Sequence, residues 1–201
     1  MGWWPDRAMR LWKEWDEQYT DKLLPWLLYR TGDLIMRDEM TQFMEQSMEN
    51  WDVIGHEYEI LTPEDIRHRW SVIHTPEIGA EIYDPSGGMV RARRTIESVA
   101  QVFLQEGGQI RIARAGMGDE EGRTLSNIHL ENGGRLEAGL FVIAVGPWFA
   151  KFLPEFMGRW YSAGGVGHVY YFATPPGLKS CRYPDLPSYN VPGMTVWPAL
   201  P

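Results

Sequence analysis

The chain has 201 residues, of which 44% are hydrophobic and 23% charged, and it carries a formal net charge of −8. That acidic balance excludes a nucleic-acid partner, since no stripe of Lys and Arg is at hand to neutralise phosphates. The single cysteine, Cys181, excludes an intrachain disulfide and a Cys-based zinc site, and no apolar stretch approaches the roughly 18–20 residues of a membrane span.

The opening Met1-Gly2-Trp3-Trp4-Pro5-Asp6 has no basic segment running into an apolar one, so it does not read as a signal peptide. Asp6 also breaks the myristoylation pattern, and the expected location is the cytoplasm. Trp4, Ala8, Leu11, Trp12, Trp15 and Tyr19 recur at helical spacing and predict an amphipathic helix over 5–19. Leu27 to Met36 reads as a strand interrupted at Thr31-Gly32-Asp33. A second helical stripe follows at Met40, Phe43, Met44, Ser47, Met48 and Trp51, and a methionine stripe of that kind reads as core filler. A strand over Tyr58–Leu61 leads into Thr62-Pro63-Glu64-Asp65, a capping box with proline at the first helical position, and so a short helix to about Trp70. Glu64 and Asp65 are adjacent, do not face each other, and suit the helix dipole better than acid–base chemistry.

Ala80 to Tyr83 predicts a strand and Asp84-Pro85-Ser86-Gly87-Gly88 a turn. The three arginines 91, 93 and 94 form the densest basic cluster and read as the solvated start of a helix. In that helix Ile96, Val99, Ala100, Phe103 and Leu104 form one apolar face, closed by Gly107-Gly108. Gln109 to Ala113 is expected as a strand, and Leu125–Leu130 with Arg135–Glu137 as a hairpin turned at Glu131-Asn132-Gly133-Gly134. Leu140 to Val145 is a continuous apolar run, as in a strand buried on both faces, and a short helix follows over 147–152. Beyond Pro154 the composition shifts to Gly, Pro and Tyr, with strands expected at Val166–Thr174 and Met194–Trp197.

Five histidines show no metal-ligand spacing, and no Gly-x-Ser-x-Gly elbow supports serine hydrolysis. A buried strand ending at Val145-Gly146-Pro147-Trp148 delivers its carboxyl end to a crevice, where a residue without Cβ lets the backbone approach a cofactor. The same pattern also suits any strand-to-helix turn of an α/β protein.

Taken in order, several blocks resemble the D-amino-acid oxidase superfamily, in its sarcosine oxidase-like branch. They are Leu11-Trp12-Lys13-Glu14, Thr31-Gly32-Asp33-Leu34-Ile35, Leu61-Thr62-Pro63-Glu64-Asp65-Ile66, Tyr83-Asp84-Pro85-Ser86-Gly87-Gly88-Met89-Val90, Arg91 to Gly108, and Ile143-Ala144-Val145-Gly146-Pro147-Trp148. The resemblance implies an α+β chain, in which an α/β FAD-domain portion is interleaved with an antiparallel-sheet substrate domain. Residues 1–88 and 154–201 would belong to the substrate-binding cap and 89–153 to the FAD domain. It implies FAD as cofactor, with Arg114 and Ala115 near the adenine and Ala144, Gly146 and Trp148 beside the ADP half. The substrate would be a small amine or amino acid, with His168 and Tyr170 on the strand that floors its cavity; no catalytic residue is assigned. Gly139 replaces an acidic residue usual in the family, and Gly167 stands where many relatives carry an Arg that helps bind a carboxylate.

Two glycine pairs, Gly116-x-Gly118 and Gly165-x-Gly167, read as turns: the first is followed by Asp119, Glu120 and Glu121, which repel a pyrophosphate, and the second precedes its strand. No Gly-x-Gly-x-x-Gly follows a strand and opens a helix. The expected reading is therefore an internal fragment, with the dinucleotide fingerprint before Met1 and the last FAD segment after Pro201. A non-catalytic cap-like binding module and a dehydrogenase using an acceptor other than oxygen are the alternatives.

Overall fold

The computed structural model describes residues 3–19, 27–74, 79–122, 124–157 and 167–201. Two compact units result, one of Met1–Gly108 with Phe172–Pro201 and one of Gln109–Tyr171.

The first unit opens with helix α1 (Trp3–Tyr19), strands β1 (Leu28–Tyr29) and β2 (Asp33–Arg37), and helix α2 (Gln42–Ile54). Thr41 caps α2, its hydroxyl accepting from the Met44 N–H at 3.3 Å, and Gly55 ends it in the left-handed region at φ 67°. Strand β3 (Glu59–Leu61) runs into α3 (Pro63–Arg69) through the expected capping box: Thr62 and Asp65 satisfy each other's backbone N–H. Then come β4 (Ala80–Asp84), β5 (Met89–Val90) and α4 (Ala92–Gln105).

The second unit holds β6 (Ala115–Met117), β7 (Glu120–Glu121), β8 (Thr124–Leu125), β9 (Asn127–Leu130), β10 (Arg135–Glu137), α5 (Phe149–Phe152) and α6 (Pro154–Met157). The chain then returns to the first unit for β11 (Ser188–Val191) and β12 (Met194–Val196).

The first unit is organised by a five-stranded sheet in the order β12-β11-β2-β4-β3, parallel at β11–β2 and antiparallel elsewhere. Alternation along β2 splits its side chains between two cores. Leu34 and Met36 join Leu61, Ile66 of α3, Ile73 and Leu186 on one face. Ile35 joins Ile82, Ala80 and Met44 of α2 on the other. The second unit carries antiparallel ladders, β10-β9-β6 and β7-β8. The mixed α+β class expected from the sequence is what the chain adopts.

Several expectations fail in an instructive way. Residues 109–113 and 140–145 join no ladder, and Ile112 and Val142 are 100% and 83% exposed. Residues 167–174 likewise form no strand; Val166 lies outside the described residues. On α4 the buried positions are Thr95, Ser98 and Val102, whereas Ile96, Val99, Phe103 and Leu104 face outward. Phe43 and Met40 of the methionine stripe are also exposed. The cause is common to all: apolar periodicity records which face a residue offers, but a strand needs a hydrogen-bonding neighbour and a helix face needs a surface to cover it. None of those partners is among the described residues of this chain.

Candidate functional site

The positions singled out beside the cofactor lie in the second unit. Ala115 starts β6, paired with Leu130. The Arg114 carbonyl accepts the Glu131 N–H at 3.0 Å, and its guanidinium pairs with the Glu131 carboxylate at 3.0 Å in solvent. Such an exposed pair is worth little, and the backbone hydrogen bond to the hairpin is what fixes Arg114. Ala144 is exposed in the unpaired apolar segment. Gly146 opens a single 3₁₀ turn over Gly146–Trp148 at φ 52°, and a Cβ on it would meet nothing within 4 Å. Glycine is required there by the left-handed backbone, and the space before it is open. Trp148 is 68% exposed. No hydrogen bond joins Arg114 or Ala115 to Ala144, Gly146 or Trp148 among the described residues.

His168 and Tyr170 do share a side of their segment, as alternation expects: the rings stack at 6.3 Å between centroids with 26° between planes. Both are exposed, Tyr170 by 73%. They therefore form an exposed aromatic surface.

Sequence reasoning missed a polar cluster at one end of the five-stranded sheet. Asp84 Oδ1 accepts the Ser86 N–H at 2.8 Å, the Ser86 hydroxyl at 2.8 Å and the Gly87 N–H at 3.2 Å, and lies 3.1 Å from His56 Nε2. Trp51 stacks on the His56 ring at 5.3 Å. Ser, His and Asp are together, yet they are no nucleophilic triad. The same imidazole nitrogen, Nε2, faces both Asp84 and the Ser86 hydroxyl (3.4 Å), and that hydroxyl donates to the carboxylate. A relay needs the two partners on opposite ring nitrogens. The turn Asp84-Pro85-Ser86 was legible as a turn; nothing in the spacing linked His56 to it.

Directly across the ladder from Asp84 stands Asp33. Burial, together with the Asp84 charge, holds the Asp33 carboxyl above the ordinary carboxylate range, against the opposing pull of donors from Ser188 and Asn190 and the charge of Arg37. Glu81 is buried with one carboxylate oxygen lacking any partner, and burial raises it as well. No group of three or more His, Cys, Asp or Glu among the described residues could hold a metal ion, and no described helix is long and apolar enough to cross a membrane.

The fold is shared with several solved structures. L-proline dehydrogenase from P. horikoshii superposes with a TM-score of 0.63 at 17% identity, over 74% of this chain and 39% of the other. Glycine oxidase from Bacillus cereus gives 0.60 at 17% identity, over 75% and 42%. NikD, described as an unusual amino acid oxidase essential for nikkomycin biosynthesis, gives 0.59 at 19% identity, over 74% and 39%. The chain thus spans about two-fifths of the length of the structures it matches. No curated protein matches the sequence. A model of the FAD-dependent oxidoreductases matches residues 4–195, almost the whole chain, and the chain belongs to that family, DAO.

Proposed function

We propose that the chain is part of an FAD-dependent enzyme that oxidises the C–N bond of a small amine or amino acid to an imine, which water hydrolyses. The observation that carries this reading is the family match over residues 4–195, FAD being the family's cofactor. Bound FAD would take up the hydride equivalent from the carbon next to nitrogen. The protein's part is to position and to exclude water. The Gly146 turn offers exposed backbone with no side chain in front of it, and Arg114–Ala115 offers backbone held by the β6–β9 ladder. Trp148 presents an uncovered indole able to lie against a cofactor. These features fit part of FAD. What they omit is a phosphate cradle, since no glycine-rich loop follows a strand and opens a helix in this sequence.

In this reading residues 1–88 and 154–201 serve the substrate cap and 89–153 the FAD domain, in a cytoplasmic enzyme of the sarcosine oxidase-like branch. His168 and Tyr170 would face the substrate. Support comes from the exposed apolar segments 109–113 and 140–145 and the outward face of α4, which suit chain positions that a complete flavin domain would cover. Glycine oxidase and NikD among the structural neighbours favour an oxidase; the proline dehydrogenase favours a second reading, with an acceptor other than oxygen.

The test uses the complete flavin-loaded enzyme of which this chain is proposed to be a part, mixed anaerobically with a panel of N-methyl and D-amino acids. Bleaching of the flavin absorbance by at least one of them is expected, and oxygen uptake on re-aeration then separates oxidase from dehydrogenase. Flavin that no member of the panel reduces would overturn the reading.

A further inference from the structure

We propose that Glu81 couples proton loss to the opening of helix α3: ionising its carboxyl favours release of α3 and the turn to Ile73 from a sheet that stays paired. The register puts Glu81 in the layer that α3 covers. On β4 it stands directly opposite Met36 of β2 on one side and Leu61 of β3 on the other. Residues opposite each other in a ladder share a face, and both neighbours belong to the core that Ile66 of α3 and Ile73 complete. Ala80 and Ile82, beside Glu81 in sequence, point to the other core, under α2. Glu81 is 3% exposed, as deep as Leu61, and among the described residues its Oε1 has no hydrogen-bond partner. An ionised carboxylate is far more costly there than the neutral acid.

The surrounding elements bring no charge that would hold the ion. On β4 itself Tyr83 shares the face. On β3 Glu59 stands across from Tyr83 and is paired with Arg69 of α3 at 2.6 Å. On β2 the positions of this face are Leu34 and Met36, while Asp33 and Arg37 alternate onto the other face. Asp38, just past β2, is exposed, as are Glu64, Asp65, Arg67 and His68 on α3 and His74 after Ile73. Burial alone holds the Glu81 carboxyl above the ordinary range.

Of the elements around Glu81, α3 is the one held by fewest ties. It is seven residues long, and Ile66 is its buried side chain. Trp70, at its end, packs on Tyr83 with 5.1 Å between ring centroids, and the Arg69–Glu59 pair, part-exposed on both sides, adds little. Strands β2 and β3 are instead bound to β4 by their ladders. Lifting α3 therefore admits water to the carboxylate without unpairing a strand, the kind of local opening that precedes global unfolding. The sign follows from burial: the closed form holds the proton more tightly than the open one. Opening is therefore least favoured below the unfolded carboxyl value and grows as pH rises through the closed one.

Amide hydrogen exchange of the intact chain, corrected for the intrinsic rate at each pH, is the test. Wild type is compared with Glu81→Gln, which cannot ionise, and with Glu81→Met, which leaves no polar group to bury; either folded variant suffices. As pH climbs above the unfolded carboxyl value, protection of α3 and residues 70–73 should fall in wild type by about threefold or more relative to the variants. The same amides should exchange ahead of those in β2 and β4 at every pH. Comparison with the variants cancels the contributions of Asp33 and Asp65, which all three proteins keep. Wild type running parallel to the variants would overturn the coupling. So would one protection factor shared by α3 and the strands, since opening would then be global.

Discussion

Asp33 and Ser188, 155 positions apart, meet where β2 runs parallel to β11: the Ser188 hydroxyl lies 3.1 Å from Asp33 Oδ1 and 2.8 Å from the Gly32 carbonyl. The Asn190 amide donates to the same carboxylate oxygen at 3.1 Å. This pair ties the last strands of the chain to the first sheet strand. Ser188→Ala removes a buried donor from a half-buried carboxylate and should cost about 1–3 kcal/mol, read by urea unfolding. A variant as stable as wild type would show that the ladder alone holds β11.

The pH dependence of Asp33 follows from the sign of its shift. Its folded carboxyl titrates above its unfolded value, first through burial and then through Asp84. Protonation therefore favours the fold, and that contribution, full below the unfolded value, is lost as pH rises through the folded one. Asp33→Asn keeps an acceptor for Ser188 and Asn190 but cannot ionise. Its stability relative to wild type should rise as pH climbs above the unfolded carboxylate value. Glu81→Gln should behave alike, since burial raises Glu81 too. Curves parallel to wild type across that range would remove both groups from the pH profile.

Asp65 works in the opposite sense. The Thr62 hydroxyl and backbone N–H lower its carboxyl below the usual range, so its contribution is present above the unfolded value and fades as pH falls through the folded one. Asp65→Asn should destabilise at pH 7, and its penalty should shrink as pH falls below the unfolded carboxylate value, measured by thermal melting. A penalty independent of pH would point to lost packing in place of a lost charge.

The core makes a sharper prediction. Ile82 and Met44 are fully buried between β4 and α2, so Ile82→Ala should cost roughly 2–5 kcal/mol. Phe103→Gln, on the open face of α4, should change stability by less than about 0.5 kcal/mol in this chain. Equal losses at the two sites would mean that the face of α4 is covered after all.

Legibility in the sequence divides along a physical line. Features set by local chemistry were readable: the Thr62–Asp65 capping box, the strand break at Thr31-Gly32-Asp33, and the hairpin turned at Asn132-Gly133. The family was readable from the order of blocks from Leu11 to Trp148. Features set by remote partners were not. Leu140–Val145 has the composition of a buried strand, yet burial depends on neighbours that the run itself does not encode. β11 was overlooked because Ser188 and Asn190 look like loop residues until Asp33 is seen to receive them. The cluster of His56 with Asp84 joins residues 28 apart, with no periodic relation to betray it.

Gly146 separates two reasons for glycine. Its φ of 52° makes any Cβ costly whatever lies nearby, so Gly146→Val should lose about 1–2 kcal/mol in this chain without flavin. Gly146→Asn, better suited to that region, should lose less. If both are neutral, the turn is adaptable, and only close approach by a ligand would require glycine.

The most direct measurement of the central claim is the flavin content of the chain itself. The chain belongs to an FAD-dependent family and offers backbone at Arg114–Ala115 and Gly146, yet its sequence has no glycine-rich phosphate cradle at a helix start. Purified protein, refolded with excess FAD and then desalted, should be colourless, with flavin well below one per chain. A stoichiometric yellow product would contradict the claim, and would mean that this chain holds the pyrophosphate by groups other than those identified.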